Sequence, residues 1–342
     1  MNIRPFASKQ ARNLVTATAL IAAGLLSGSG SAKGGMMLTA EGLAQGFSLS
    51  TFASGYSSGN SGQPRGIAFA GGGVLVSDTS GDVRRFPSDA DGQNVGSVPV
   101  GQNYGSFNAT DLATAGGKIY LSRRLTNEID QINADGTLNQ VILSAINNAT
   151  GLVTNPANGH LYVSTLNNNN VYDVDPVAKT QTLIFNANFD GITLSPDGKI
   201  LYGASGNNIL GFDLTTMAHP LVFDSGPITG VPDGAIIGLG PLLGNIYANT
   251  NGGTPITNGG TFVQINLLTK VQTVIGTGGS RGDFVTLDPT NGTLLLTQTE
   301  SILRLTPPPG GFGPSPVPEP ATYLQATIAA CGLGLFWRFR RR

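Results

Sequence analysis

The sequence predicts an all-β chain, a six-bladed β-propeller closed by a strand from its own N-terminal side. Three observations predict it: an internal repeat, an unmatched strand ahead of the first repeat, and the composition. Glycine occurs 49 times in 342 residues and charged residues make up only 11%. That balance favours short strands joined by many turns over helical bundles.

The repeat is clearest as a glycine followed by a β-rich run, as in Gly73-Val74-Leu75-Val76, Gly117-Lys118-Ile119-Tyr120-Leu121 and Gly159-His160-Leu161-Tyr162-Val163. Further copies start at Gly198, Gly244 and Gly292, so the glycines are 44, 42, 39, 46 and 48 residues apart. A period in this range is the mark of stacked supersecondary units, whereas a β-sandwich has no such period. Each unit opens with a short apolar strand, at 66–69, 111–113, 151–153, 191–194, 235–237 and 284–287. A third strand with alternating polarity follows the glycine strand, at 83–86, 129–132, 171–174, 209–212, 262–265 and 302–305. The first five units add a fourth strand, as at 140–143, 181–185 and 272–275, but the sixth runs into Pro307-Pro308-Pro309. Its missing strand is the unmatched run at 46–52, which would clasp the ring shut and leave no long free edge. The unit Asp190-Gly191-Ile192-Thr193-Leu194-Ser195-Pro196-Asp197-Gly198-Lys199 resembles blades of NHL and senescence-marker/gluconolactonase-like propellers, and the resemblance extends over 46–306.

Both ends carry address signals. Arg4, Lys9 and Arg12 precede an apolar run at 14–26 and small residues ending at Ala32, which reads as a secretory signal peptide over 1–32. Residues 33–45 are expected as a short linker and 307–316 as a second, Pro/Gly-rich one. Over 317–342 the order is Val317-Pro318-Glu319-Pro320, an apolar run of 17 residues at 321–337, then Arg338, Arg340, Arg341 and Arg342. The prolines impose an extended backbone, the run is near the lower limit for a bilayer span, and the arginines hold its end on the cytoplasmic side. This tail resembles the PEP-CTERM sorting signal of Gram-negative bacteria. The resemblance implies export through the Sec translocon, removal of the leader by signal peptidase, transient anchoring in the inner membrane by a C-terminal transmembrane helix, and recognition by an exosortase. The expected destination is the cell surface or extracellular matrix.

Between the two signals the body carries 12 Lys+Arg against 19 Asp+Glu, a net of −7, which excludes a nucleic-acid binder because phosphate neutralisation needs a basic face. The one cysteine, Cys331, lies in the tail, so the body has no disulfide. With only His160 and His219, histidine-based zinc or triad chemistry has little to work with.

Strand parity locates the candidate site. If consecutive strands are antiparallel, the start of each first strand and the loop between second and third strands share one face. That face gathers Arg65, Asp111, Asp190, Asp233, Arg281 and Asp283 at the channel mouth, with the loops 78–82, 122–127, 167–170, 205–208 and 249–260 around them. Asp111, Asp190, Asp233 and Asp283 are candidate ligands for Ca2+ or another divalent cation, and the ring suits a hydroxyl-rich ligand. The bland alternative is turn chemistry, since Asp-Gly and Gly-Asp pairs also cap backbone donors. Arg281-Gly282-Asp283 and Asp89-Ala90-Asp91-Gly92 read as turns, and Arg84-Arg85 and Arg123-Arg124 as solvated faces, the second pair within reach of an acidic polysaccharide. The propeller resemblance implies a divalent metal held by a glutamate at the start of the first blade, where this chain reads Gln63-Pro64-Arg65-Gly66. The expectation is therefore a non-catalytic binding module for a polysaccharide, ion or surface protein, with no catalytic residue assigned. The alternative is a metal-dependent lactonase-like hydrolase using the channel.

Overall fold

The computed structural model describes residues 35–59, 61–166, 168–252 and 259–312. The leader at 1–32 and the sorting tail at 317–342 lie outside the described residues. Among the described residues no helix is long and apolar enough to cross a membrane.

Six antiparallel sheets follow one another along the chain. Blade 1 is Pro64–Ala70, Gly73–Asp78, Asp82–Phe86 and Val100–Asn103; blade 2 is Ala109–Ala115, Lys118–Arg123, Glu128–Ile132 and Leu138–Leu143. Blade 3 is Ala149–Thr154, Leu161–Thr165, Asn170–Asp175 and Thr180–Phe185, and blade 4 is Ile192–Leu194, Ile200–Ser205, Asn208–Asp213 and Leu221–Asp224. Blade 5 is Val231–Ile237, Asn245–Asn251, Gly260–Asn266 and Gln272–Gly279; blade 6 begins with Val285–Leu287, Leu294–Thr297 and Ser301–Thr306. The first strand of every blade touches that of the next, and blade 6 returns to blade 1, so the ring is closed. The core is divided into apolar clusters, each held between neighbouring blades, such as Leu75, Val83, Leu112 and Leu121 between blades 1 and 2.

The predicted clasp is present, of the expected length but shifted two residues toward the C-terminus. Ser48–Ser54 pairs antiparallel with Ser301–Thr306, with Ser48 opposite Thr306 and Ser54 opposite Ser301. A register shift lets Phe52 bulge out of the ladder, where it is fully buried with its ring centroid 5.3 Å from that of Phe86. Arg304 of the partner strand lies over the same ring, 5.4 Å from its centroid. Blade 6 then gains a fifth strand that periodicity did not foretell, Gln93–Asn94, parallel to Ala53 and Ser54.

That extra strand corrects the reading of 89–92 as a plain turn. Arg304, 8% exposed, binds Asp89 at 2.5 Å and Asp91 at 2.7 Å, and reaches Asp288 at 3.4 Å. The guanidinium thus ties the blade 1 loop across the clasp to blade 6, because three carboxylates from two segments can share its five donors.

The two expected linkers are also partly built into the body. Met37–Leu38 adds a strand to the outer edge of blade 5, and the helical turn Ala40–Ala44 follows it. Thr39 caps that turn, accepting from the Gly42 amide, while its hydroxyl donates to the Val274 carbonyl at 2.7 Å. On the other side Phe312 is fully buried, its ring 5.1 Å edge-on to Tyr247, which Phe47 also meets at 6.1 Å. Aromatic burial outweighs the Pro/Gly character of the local sequence, so both ends of the body dock on blade 5.

Removing the guanidinium by Arg304→Ala leaves three carboxylates uncompensated and is expected to lower the unfolding free energy by about 3 kcal/mol, against less than about 1 kcal/mol for Lys199→Ala, whose pair with Asp197 is exposed. Chemical denaturation of the two variants checks this.

Candidate functional site: the two levels of the central channel

The register of the first strands sets two rings of residues around the axis. Ile67, Leu112, Leu152, Ile192, Ala235 and Val285 each pair with the equivalent residue of the second strand. One residue earlier come Gly66, Asp111, Gly151, Gly191, Gly234 and Phe284, the inner ring; one earlier still come Arg65, Thr110, Thr150, Asp190, Asp233 and Asp283, the mouth ring. In blades 1, 2, 3 and 5 the pairing shifts at this place. A bulge there turns the mouth residues out of the ladder and re-aims them.

Glycine in the inner ring has a steric cause. A Cβ on Gly66 would come 2.5 Å from the Asp111 Cα, and one on Gly191 would come 2.0 Å from the Asp233 carbonyl oxygen. Neighbouring blades therefore approach backbone to backbone around the axis. Hydroxyls on the second strands fasten this contact. Ser77 Oγ accepts from Gly66 N at 3.0 Å and donates to Thr110 O at 3.2 Å; Ser122 joins Asp111 N to Thr150 O, and Ser164 joins Gly151 N to Asp190 O. Asn249 and Thr297 take the same place in blades 5 and 6, the former donating to the Phe284 carbonyl. Sequence reading missed these residues, although the dipeptides Val76-Ser77, Leu121-Ser122 and Val163-Ser164 recur in register and could have revealed them.

The mouth brings together five of the six expected residues. Arg281 Nε binds Asp283 Oδ1 at 2.6 Å, and Arg65 Nε lies 3.7 Å from Asp283 Oδ2. Arg281 also donates to the Gln63 side chain at 3.2 Å. Asp233 feels the charge of Asp283 and accepts a hydrogen bond from the Asn251 amide, whose oxygen accepts from Gly282 N at 2.9 Å. Asp190 feels the charges of Asp283, Arg65, Arg124 and Arg281. Arg124, expected on a solvated face, therefore belongs to the cluster, while Arg123 is occupied by Glu128 and Asp130. Arg281-Gly282-Asp283 is likewise more than a turn, because both its charged ends are engaged at the mouth. Asp111 is set apart: it sits one residue deeper, and its two oxygens accept from Leu112 N and Leu152 N, each at 2.8 Å.

Phe107 completes the mouth and had no sequence signal. Its backbone has φ 57°, in the left-handed region that a bulky side chain rarely adopts, and its ring lies 5.7 Å from the Arg65 guanidinium carbon. The Phe107 amide donates to Thr79 O at 2.8 Å, which helps hold this conformation. Asn167 and residues 253–258 of the expected rim loops lie outside the described residues.

Burial governs the charge states. It raises the Asp233 carboxyl well above its usual range, with the Asp190 and Asp283 charges adding to the effect. Burial also pushes Asp190 up to about 6, aided by Asp283 and opposed by Arg65, Arg124 and Arg281. Asp111 is raised to about 7 by burial, against the two amides that favour its charged form. Three guanidinium groups, those of Arg65, Arg124 and Arg281, thus stand among Asp190, Asp233 and Asp283 at the mouth of an acidic body.

The residues present do not fit the divalent metal that the propeller resemblance implies. Arg65 stands at the start of the first blade, and its guanidinium and that of Arg281 occupy Asp283 from two sides. Among the described residues no group of three or more His, Cys, Asp and Glu side chains is arranged to hold a metal ion. Cations built into the chain do the neutralising, so the expected carboxylate cage for Ca2+ is not formed.

Carboxyls raised by burial bind more protons folded than unfolded, so their contribution to stability is full below about pH 4 and is lost as pH rises through 6–7. Thermal unfolding is therefore expected to show a falling Tm between pH 5 and pH 8, with a shallower slope in Asp190→Asn. Differential scanning calorimetry across that range checks the sign.

No protein-family profile matches the chain, and no curated protein matches it by sequence. Solved structures do. A gluconolactonase from Xanthomonas campestris superposes with TM-score 0.61 at 16% identity, covering 80% of this chain and 95% of that one. A luciferin-regenerating enzyme gives TM-score 0.59 at 13% identity over 78% and 97% of the two chains. An auxiliary nutrient binding protein from Bacteroides thetaiotaomicron gives 0.56 at 13% identity over 76% of each. The chain spans 55% of the length of a hydrazine synthase from Kuenenia stuttgartiensis that it also matches. At such identities the likeness shows the fold, an all-β six-bladed propeller of gluconolactonase-like shape.

Proposed function

We propose that the chain is an exported, non-catalytic binding module whose channel-mouth face receives a hydroxyl-rich, acidic saccharide at the cell surface or in the extracellular matrix. The observation that carries this reading is the Arg65, Arg124 and Arg281 cluster, which stands among the carboxylates where a catalytic metal would need them free. Guanidinium groups recognise carboxylates in fork geometry, and the Phe107 ring beside Arg65 offers an apolar face to a sugar ring. The rim supports it further. Asn147, Asn168, Asn186 and Asn207 are exposed on this face, at places where their backbone φ does not demand asparagine, unlike Asn127, Asn148 and Asn169. Amides both donate and accept, which suits hydroxyls.

The address signals supply the route. In this reading the Sec translocon and signal peptidase handle 1–32, and an exosortase processes Val317-Pro318-Glu319-Pro320 before the span at 321–337 and the terminal arginines. Mass spectrometry of the surface-released protein is expected to find a chain beginning at Lys33 and ending near Pro320; a released chain still carrying Met1 or Arg342 overturns the route.

The second reading, a lactonase-like hydrolase, has the shared fold with gluconolactonases in its favour. One experiment separates the two. Purified protein is assayed for retention on the exopolysaccharide of its source organism and for turnover of a lactone panel with added Ca2+ or Mg2+. Binding is expected, weakened at least tenfold, or about 1.4 kcal/mol, by Arg124→Glu. Metal-dependent turnover that disappears in Asp190→Ala and Asp233→Ala, with no polysaccharide retention, reverses the assignment.

A further inference from the structure

Below the charged mouth a cavity lies along the channel. The first strands of blades 2 to 6 enclose a cavity of about 380 Å³, within the range of about 300–1,000 Å³ for small-molecule sites. Blade 1 is not part of its wall, since Gly66 lets that strand close directly onto the Asp111 backbone. Gly191 and Gly234 bring the backbones of blades 4, 5 and 6 together on the far side, whereas Asp111 and Phe284 carry side chains where the other inner-ring positions have glycine. The wall is chiefly apolar, with Leu152, Ile192, Ala235 and Ile236 beside Phe284, and threonines among them.

Asp111 is the only ionisable group in this wall. Each of its oxygens accepts one backbone amide and keeps a second lone pair for another donor. No cationic side chain lines the cavity to offset its charge or to receive an anion. A chiefly apolar cavity with one carboxylate is complementary to a molecule with an apolar body and a cationic head.

We propose that the lower channel binds a small primary amine with an alkyl or aryl body, its ammonium on Asp111 and its body against Leu152, Ile192 and Phe284. The ammonium supplies the partner charge that burial otherwise denies Asp111, and the body displaces water from apolar wall. This site uses none of the mouth arginines and stands or falls independently of the saccharide reading.

Calorimetric titration of the full chain with n-hexylamine, n-hexanol and hexanoate tests it. Saturable 1:1 binding of hexylamine, at least tenfold tighter than hexanol and with hexanoate excluded, is expected. Ile236→Trp, at a partly exposed wall position, should remove binding of both neutral and cationic probes with Tm retained, and Asp111→Asn should erase the preference for the amine. Should Asp111→Asn fail to fold, the probe series on the unaltered chain and Ile236→Trp decide the matter. The proposal is overturned by absence of saturable hexylamine binding, by equal affinity for hexanol, or by amine binding that survives Ile236→Trp.

Discussion

Closure of the ring by the clasp is the constraint on which the rest of the structure depends. Five blades assemble from consecutive chain, but the sixth has only three strands of its own and would present a free edge. Ser48–Ser54 fills that edge from the other end of the body, so the ladder that closes the ring is also the one most distant in sequence. Phe52 and Arg304 make the junction cooperative: the ring is buried between blades 6 and 1, and the guanidinium above it gathers carboxylates from blade 6 and from the blade 1 loop. A loop that merely turned would leave Gln93–Asn94 without reason to pair.

Once the ring is closed, the channel is shaped by what the inner ring omits. Glycine at four of six positions allows backbones to approach across blade boundaries, and second-strand hydroxyls satisfy the amides and carbonyls that this approach buries. The same arrangement explains the two exceptions. Asp111 and Phe284 carry side chains where the others have none, and together they border a cavity whose wall is mostly apolar, with threonines and one carboxyl. Bulges at the strand starts do the complementary work at the mouth, re-aiming Arg65 and Asp233 toward the axis.

Shape shared with gluconolactonases leaves open what the mouth does, because the chemistry of a propeller resides in a few axial side chains. Here those side chains neutralise one another. Burial makes isolated carboxylates costly, and the chain answers with arginines placed beside Asp283 and Asp190. Such a mouth is suited to recognition of charge and hydroxyls by donors already in place.

The number of blades, their strand order and the identity of the clasp were legible in the sequence, because repeat period, alternation of polarity and a run of prolines act locally and recur. Parity alone also placed Arg65, Asp190, Asp233, Arg281 and Asp283 on one face. What each of them does there was not legible. Whether a carboxylate faces a cation, another carboxylate or open space depends on side chains some 50 to 220 residues away, as Asp283 with Arg65 and Asp233 with Asp283 illustrate. The one-residue offset that separates Asp111 from its apparent equivalents likewise arises from bulges and ladder register, as does the recruitment of Arg124 and the strained Phe107. Sequence determined the ring; only the tertiary structure decided which charges meet at its axis, since electrostatics and burial act through space rather than along the chain.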